Sequence, residues 1–199
     1  MPAASMPSTK ELLWLSCREK SCCHNSRVLI TGLDMWRISE ALELAPWDFT
    51  MYTDAVEGAP DAFQLSCDGP FFQVILGKRG EIGPQGAACI FLWKLADGHA
   101  QCGLGALRPL VCLSYPAILI DDILRVDGGH CGCRRWSLVD LDADSEMALI
   151  EQLLGETATY SEIVTAWNQR LRTIAGAQTF RDFCTYVLQE CSQRNGGVQ

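Results

Sequence analysis

Cys102-Gly103-Leu104-Gly105-Ala106-Leu107-Arg108-Pro109-Leu110-Val111-Cys112-Leu113-Ser114-Tyr115-Pro116 places two thiols among glycines and prolines in a single run. Its second half, Leu107 to Pro116, has room for one short helix. Pro109 can start that helix and Pro116 must end it, because proline fixes φ and has no N–H to donate. The thiols therefore sit where the backbone turns, which marks a unit of short elements rather than a long sheet or a bundle.

Working outward from this run, Phe71 to Leu76 is β-rich and is followed by Gly-Lys-Arg-Gly. Ala88 to Leu95 and the Asp97-Gly98 turn then lead back to Cys102. This predicts two or three short antiparallel strands. Ala117 to Val126 is again strand-like and ends at Asp127-Gly128-Gly129. Upstream, Arg27 to Ile30 forms a short strand-like run before Thr31-Gly32-Leu33-Asp34, where Thr followed three residues later by Asp resembles a helix cap. Trp36, Ile38, Leu42 and Leu44 supply an apolar helical surface there, with Pro46 as the expected stop. Thr50 to Pro70, rich in Asp, Ala, Gly and Pro, is expected to be an irregular connection.

From Asp142 onward the periodicity becomes helical. Met147, Ile150, Leu153 and Leu154 make one stripe, Tyr160, Ile163, Val164, Trp167, Leu171 and Ile174 a second, and Phe180, Phe183, Cys184, Val187, Leu188 and Cys191 a third. The expected fold class is α+β. A small cysteine-rich unit of short strands and helices spans residues 1–140, and a C-terminal helical extension, 141–199, packs on it as two or three helices.

The chain has 199 residues, of which 48% are hydrophobic, so it can bury a sizeable core without disulfides. Its net charge of −8 and the lack of a basic cluster argue against nucleic acid or anionic lipid as partners. No apolar run approaches the roughly 18 residues of a membrane span, and Met1 to Ser16 does not read as a secretory signal. The expectation is a soluble cytoplasmic protein, a reducing setting in which clustered thiols are held by metal or used in catalysis.

Eight of the eleven cysteines fall into three groups: Cys17, Cys22 and Cys23; Cys89, Cys102 and Cys112; Cys131 and Cys133. All eight lie outside the apolar helical stripes, in segments with Gly, Pro, Ser and other turn residues, and thiolates are soft ligands for zinc, iron or iron–sulfur clusters, so these eight are the candidate metal ligands. Cys22 and Cys23 are neighbours, too close for an ordinary disulfide, so each must find another partner. Cys184 and Cys191 lie on an apolar stripe and read as core, and Cys67 stands alone. The spacings match neither a zinc ribbon nor a tight knuckle, so buried or incidental thiols remain the competing reading. His24 and His130 adjoin candidate cysteines but read first as exposed loop residues, and His99 as solvated at its turn. Arg108 reads as a structural arginine tying a helix end to a carbonyl, and Tyr115 as packing over the site.

Cys89-Ile90-Phe91-Leu92, followed by the Cys102 to Pro116 run with its Arg108-Pro109, Cys112 and Tyr115-Pro116, resembles the signature of the YkgJ-type cysteine-cluster family. The upstream Cys22-Cys23 pair, with a strand and a Thr-x-x-Asp helix behind it, fits the same pattern. That family is described as a zinc- or iron-chelating domain, with a related cluster in flagellin lysine methylases. The resemblance covers about Cys17 to Cys133. It implies chelation by Cys22, Cys23, Cys89, Cys102 and Cys112, with Cys17 as an outlying member. The chain departs from the family in having no cysteine between Arg18 and Ser21, and in having Leu113 where arginine is common. Cys131 and Cys133 match only a downstream region that varies in form, although Gly128, Gly129 and Gly132 allow that loop to approach a cluster.

No nucleotide-binding glycine motif, Ser-His-Asp arrangement or His-Glu-x-x-His sequence is present. The function expected from the sequence is a metal-binding protein holding an iron–sulfur cluster or iron, alternatively zinc, with its protein partner unknown. The alternatives are an enzyme or maturation factor related to the flagellin methylases, and a thiol redox or regulatory protein using Cys22-Cys23 or Cys131-Gly-Cys133.

Overall fold

The computed structural model describes residues 8–18, 20–83, 86–127 and 136–196. It is an α+β fold in which short antiparallel hairpins and short helices lead into two long helices. Four short helices come first: α1 (Thr9–Ser16), α2 (Ser21–Asn25), α3 (Gly32–Leu42) and α4 (Pro46–Phe49). Strands β1 (Thr50–Asp54) and β2 (Phe72–Leu76) pair with Thr50 opposite Leu76. Next come hairpins β3 (Lys78–Gly83) with β4 (Gly86–Cys89), and β5 (Leu92–Lys94) with β6 (Ala100–Cys102). Helix α5 (Leu110–Ser114) precedes the last hairpin, β7 (Ala117–Ile120) with β8 (Ile123–Val126). The chain closes with α6 (Ala143–Leu171) and α7 (Phe180–Gly196).

The cap read at Thr31 is a complete capping box. Its hydroxyl accepts from the Asp34 N–H, and the Asp34 carboxylate accepts from the Thr31 N–H at 3.0 Å. Helix α3 ends earlier than expected, at a left-handed Glu43 (φ 54°), and Pro46 begins α4 instead of stopping α3. Leu42 and Leu44 consequently lie on the surface, and the buried face is Met35 and Ile38. Arg27 to Ile30 forms only an isolated bridge, Leu29 with Ile75.

Two other expectations need correction. Thr50 to Asp54, expected to be irregular, is strand β1, and Phe63 bridges Phe72. The alternating Thr-Met-Tyr-Thr is a strand sequence that the loop-like composition behind it obscured. Ala117 to Val126 is a hairpin, not one strand: Asp121 and Asp122 take φ of 53° and 59°, the mirror-image turn that suits strand twist. The first two C-terminal stripes are one 29-residue helix, so this region contains two helices among the described residues.

One core joins both parts of the chain. Phe63 stacks on Phe183 with ring centroids 3.9 Å apart, Trp167 meets Phe183 edge-on, and Trp167 donates its indole N–H to the Gln64 carbonyl. Cys184 and Cys191 are fully buried in this core, as their stripe predicted. No described helix is long and apolar enough to cross a membrane.

Two partly buried ionic ties fix the parts that carry cysteines. Lys10 of α1 donates to the carbonyls of Leu113 and Ser114 and to Glu146 of α6, joining three helices. The Asp34 carboxylate accepts from Arg37 at 2.6 Å and from the Leu110 N–H at 3.3 Å, and Arg37 also donates to Glu156 of α6. Leu110 is the first residue of α5, so this network places the helix bearing Cys112 against α3 and α6.

Candidate metal centre

The short helix α2 presents Cys22 and Cys23, β4 ends at Cys89, β6 ends at Cys102, and α5 carries Cys112 in its middle. All five thiols are free and line one cavity of about 430 Å³. The two strands stop at their cysteines, and the two helices that carry the others are only five residues long. Lys20, in left-handed conformation (φ 46°), starts α2 and turns its ammonium onto the carbonyls of Trp14 and Cys17. The Gly103 N–H bonds the Phe91 carbonyl just after Cys102, and Cys112 donates its N–H to Pro109.

The five thiols feel one another. Cys22 is lowered to about 7, chiefly because the Cys23 thiol donates a hydrogen bond to its sulfur, with a smaller contribution from the Lys20 ammonium. Cys23 is raised in turn, first by that same bond, then by burial and by Cys112 and Cys89. Burial pushes up Cys89, Cys102 and most strongly Cys112, and Arg108 partly offsets this at Cys102. A bound cation would reverse this pattern, since it stabilises the thiolates that burial disfavours.

The donor set is chemically suited to zinc or iron–sulfur ligation, being sulfur-rich and drawn from several chain segments. Among the described residues, no three Cys, His, Asp or Glu donors are already gathered into a formed metal site. Loading would have to draw the thiols closer together.

The remaining candidates stand apart from this set. Cys17 is buried and held in a disulfide. In that state its sulfur is not a thiolate ligand. Cys131, Cys133 and His130 lie outside the described residues. Cys67 is exposed and free.

His24 differs from its expected exposed position. It is buried on α2, its Nδ1 has no hydrogen-bond partner among the described residues, and burial lowers its pKa. His99 pairs with Asp97 at 3.0 Å at the turn. Arg108 donates from Nε to the Gly105 carbonyl, as expected of a structural arginine, and lies over the Trp14 ring at 4.2 Å. Tyr115 lines the cavity beside the thiols.

Sequence reasoning missed the cavity itself. Its walls include Val111, Ile118, Leu119, Ile150, Leu153 and Leu154 from α5, β7 and α6, together with Trp14 and Arg27. The Met147 to Leu154 stripe was a visible signal, but periodicity cannot tell a face that fills a core from one that walls a void. Cys102 also borders a surface depression beside Trp93 and Leu95. No known family model, curated protein or solved structure matches this chain.

Proposed function

We propose that Cys22, Cys23, Cys89, Cys102 and Cys112 hold a metal centre, an iron–sulfur cluster or iron, alternatively zinc, in a cytoplasmic protein. The observation that carries this reading is that five free cysteines from four separate segments line one cavity. Buried free cysteines scattered as small hydrophobes, like Cys184 and Cys191, have no reason to converge in this way. The resemblance to the YkgJ-type family supports the same five residues. More thiols than the four of a structural zinc site favour iron.

Anaerobic purification with metal analysis and an absorption spectrum tests the proposal. An iron–sulfur spectrum or stoichiometric zinc, lost when Cys89, Cys102 and Cys112 are changed to serine, is the expected result. Absence of both metals after anaerobic isolation and after reconstitution overturns it.

A second reading, a thiol redox protein, draws on the Cys17 disulfide and on the hydrogen-bonded Cys22-Cys23 pair. Alkylation before and after chelation separates the two. Metal-held thiolates react only once the metal is removed, whereas redox thiols respond to reductant alone.

A further inference from the structure

A metal ion with sulfur bonds of about 2.3 Å needs little room, yet the cavity holding the five thiols measures about 430 Å³. That volume falls within the range of small-molecule sites, about 300 to 1,000 Å³, whereas packed interiors leave few voids larger than a water molecule. Its walls are mainly apolar, with Ile118 and Leu119 of β7 and Ile150, Leu153 and Leu154 of α6. Ile150 is buried and Leu154 is 57% exposed, so this apolar wall runs from the interior to solvent.

Among the described residues, the cavity's charged side chains are Arg27, Arg108 and Asp127. Asp127 has a partner of its own, and Arg108 faces Glu11 at a loose 3.7 Å. Arg27 has no hydrogen-bond or ion-pair partner among the described residues. In a chain of net charge −8, the free charge on this wall is therefore positive. Arginine is the side chain best shaped to grip a carboxylate through two parallel N–H bonds.

We propose that the cavity beside the thiols binds a small organic carboxylate with an apolar body, its carboxylate held by Arg27 with support from Arg108. This goes beyond the metal reading and does not depend on it, because binding is read on reduced metal-free protein as well as on the protein as isolated. A carboxylate-bearing substrate placed there would lie beside whatever the sulfurs hold.

Calorimetric titration of the 199-residue protein, as isolated and in reduced metal-free form, with butanoate, hexanoate and octanoate tests the proposal. Affinity should rise about fourfold per added methylene as each enters the apolar wall. Octyltrimethylammonium should bind at least tenfold more weakly than octanoate, since it meets the arginines with like charge. Arg27→Gln, at an exposed position, should weaken octanoate about tenfold while the protein keeps its circular dichroism. Ile118→Trp, which puts bulk into the cavity and leaves both arginines in place, should abolish binding.

No octanoate binding, affinity independent of chain length, or equal affinity in the Arg27 variant each overturns the proposal. The metal result is read separately by elemental analysis, so a metal-free protein that binds octanoate refutes only the metal reading. A metalloprotein that does not bind octanoate refutes only this one.

Discussion

Asp34 is 2% exposed and holds three donors at once: the Thr31 N–H, the Leu110 N–H and the Arg37 guanidinium. Asp34→Ala removes the acceptor for all of them. Loss of the reciprocal capping-box bond from the Thr31 N–H costs about 1 kcal/mol, and the stranded Leu110 N–H about another 1 kcal/mol. The charge-assisted bond to Arg37 contributes about 1.5 kcal/mol, at the low end of its range because Glu156 still holds that guanidinium. The expected total is about 3.5 kcal/mol, a large part of the stability of an ordinary domain. With a urea m-value of about 2.5 kcal/mol/M, the midpoint should fall by about 1.4 M. Asp34→Asn keeps one oxygen and the shape, and should lose less than half as much.

Because Leu110 begins the helix of Cys112, alkylation of Cys112 in the folded alanine variant should also accelerate. Equilibrium urea unfolding followed by circular dichroism, with peptide mapping of alkylated Cys112, measures both effects. A loss under about 1 kcal/mol, or an asparagine variant as unstable as the alanine one, would show that Asp34 is not the tie between α3 and α5.

Two other outcomes are expected. In reduced, metal-free protein, Cys22 is a thiolate above about pH 7, so its iodoacetamide labelling should rise through neutrality, while Cys23, Cys89, Cys102 and Cys112 stay unreactive until alkaline pH. Cys23→Ala, which removes the hydrogen-bond donor, should move the Cys22 profile upward, and an unchanged profile would refute that cause. Gly32→Ala would bring a methyl within 2.8 Å of Val187 and 2.9 Å of Tyr160, where α3 crosses α7, and thermal unfolding should show a loss of about 1 to 3 kcal/mol. Wild-type stability there would mean that this helix crossing has slack.

What the sequence disclosed, and what it hid, follow from how local each signal is. The Thr31–Asp34 cap, the Pro109 to Pro116 helix and the buried stripe of Cys184 and Cys191 were all readable, because each depends on residues a few positions apart. The two-residue Asp121-Asp122 turn was missed because both positions adopt positive φ without glycine. Strand β1 was missed because its partner, β2, begins eighteen residues after Asp54, beyond a loop of turn-forming composition. The thiols could be grouped from their chemistry, but which of them meet in space could not be read from their spacing. A disulfide takes Cys17 out of the free set, and Cys22 and Cys23 reach across space to Cys89, Cys102 and Cys112. His24 looked like a loop residue only because nothing nearby announces that α2 packs against β4.

The described strands form four separate pairs rather than one continuous sheet. A lone two-stranded hairpin is marginal in water, and those ending in Cys89 and Cys102 are short. They share one core with the long helices, in which Phe63, Trp167 and Phe183 make the aromatic contacts. The cysteine-bearing half of the chain is therefore held by its packing on the shared core and not by a continuous sheet. An occupant gripped by sulfurs from Cys22 through Cys112 would close long chain loops and act as the fastener of that half, making loading and local folding one event.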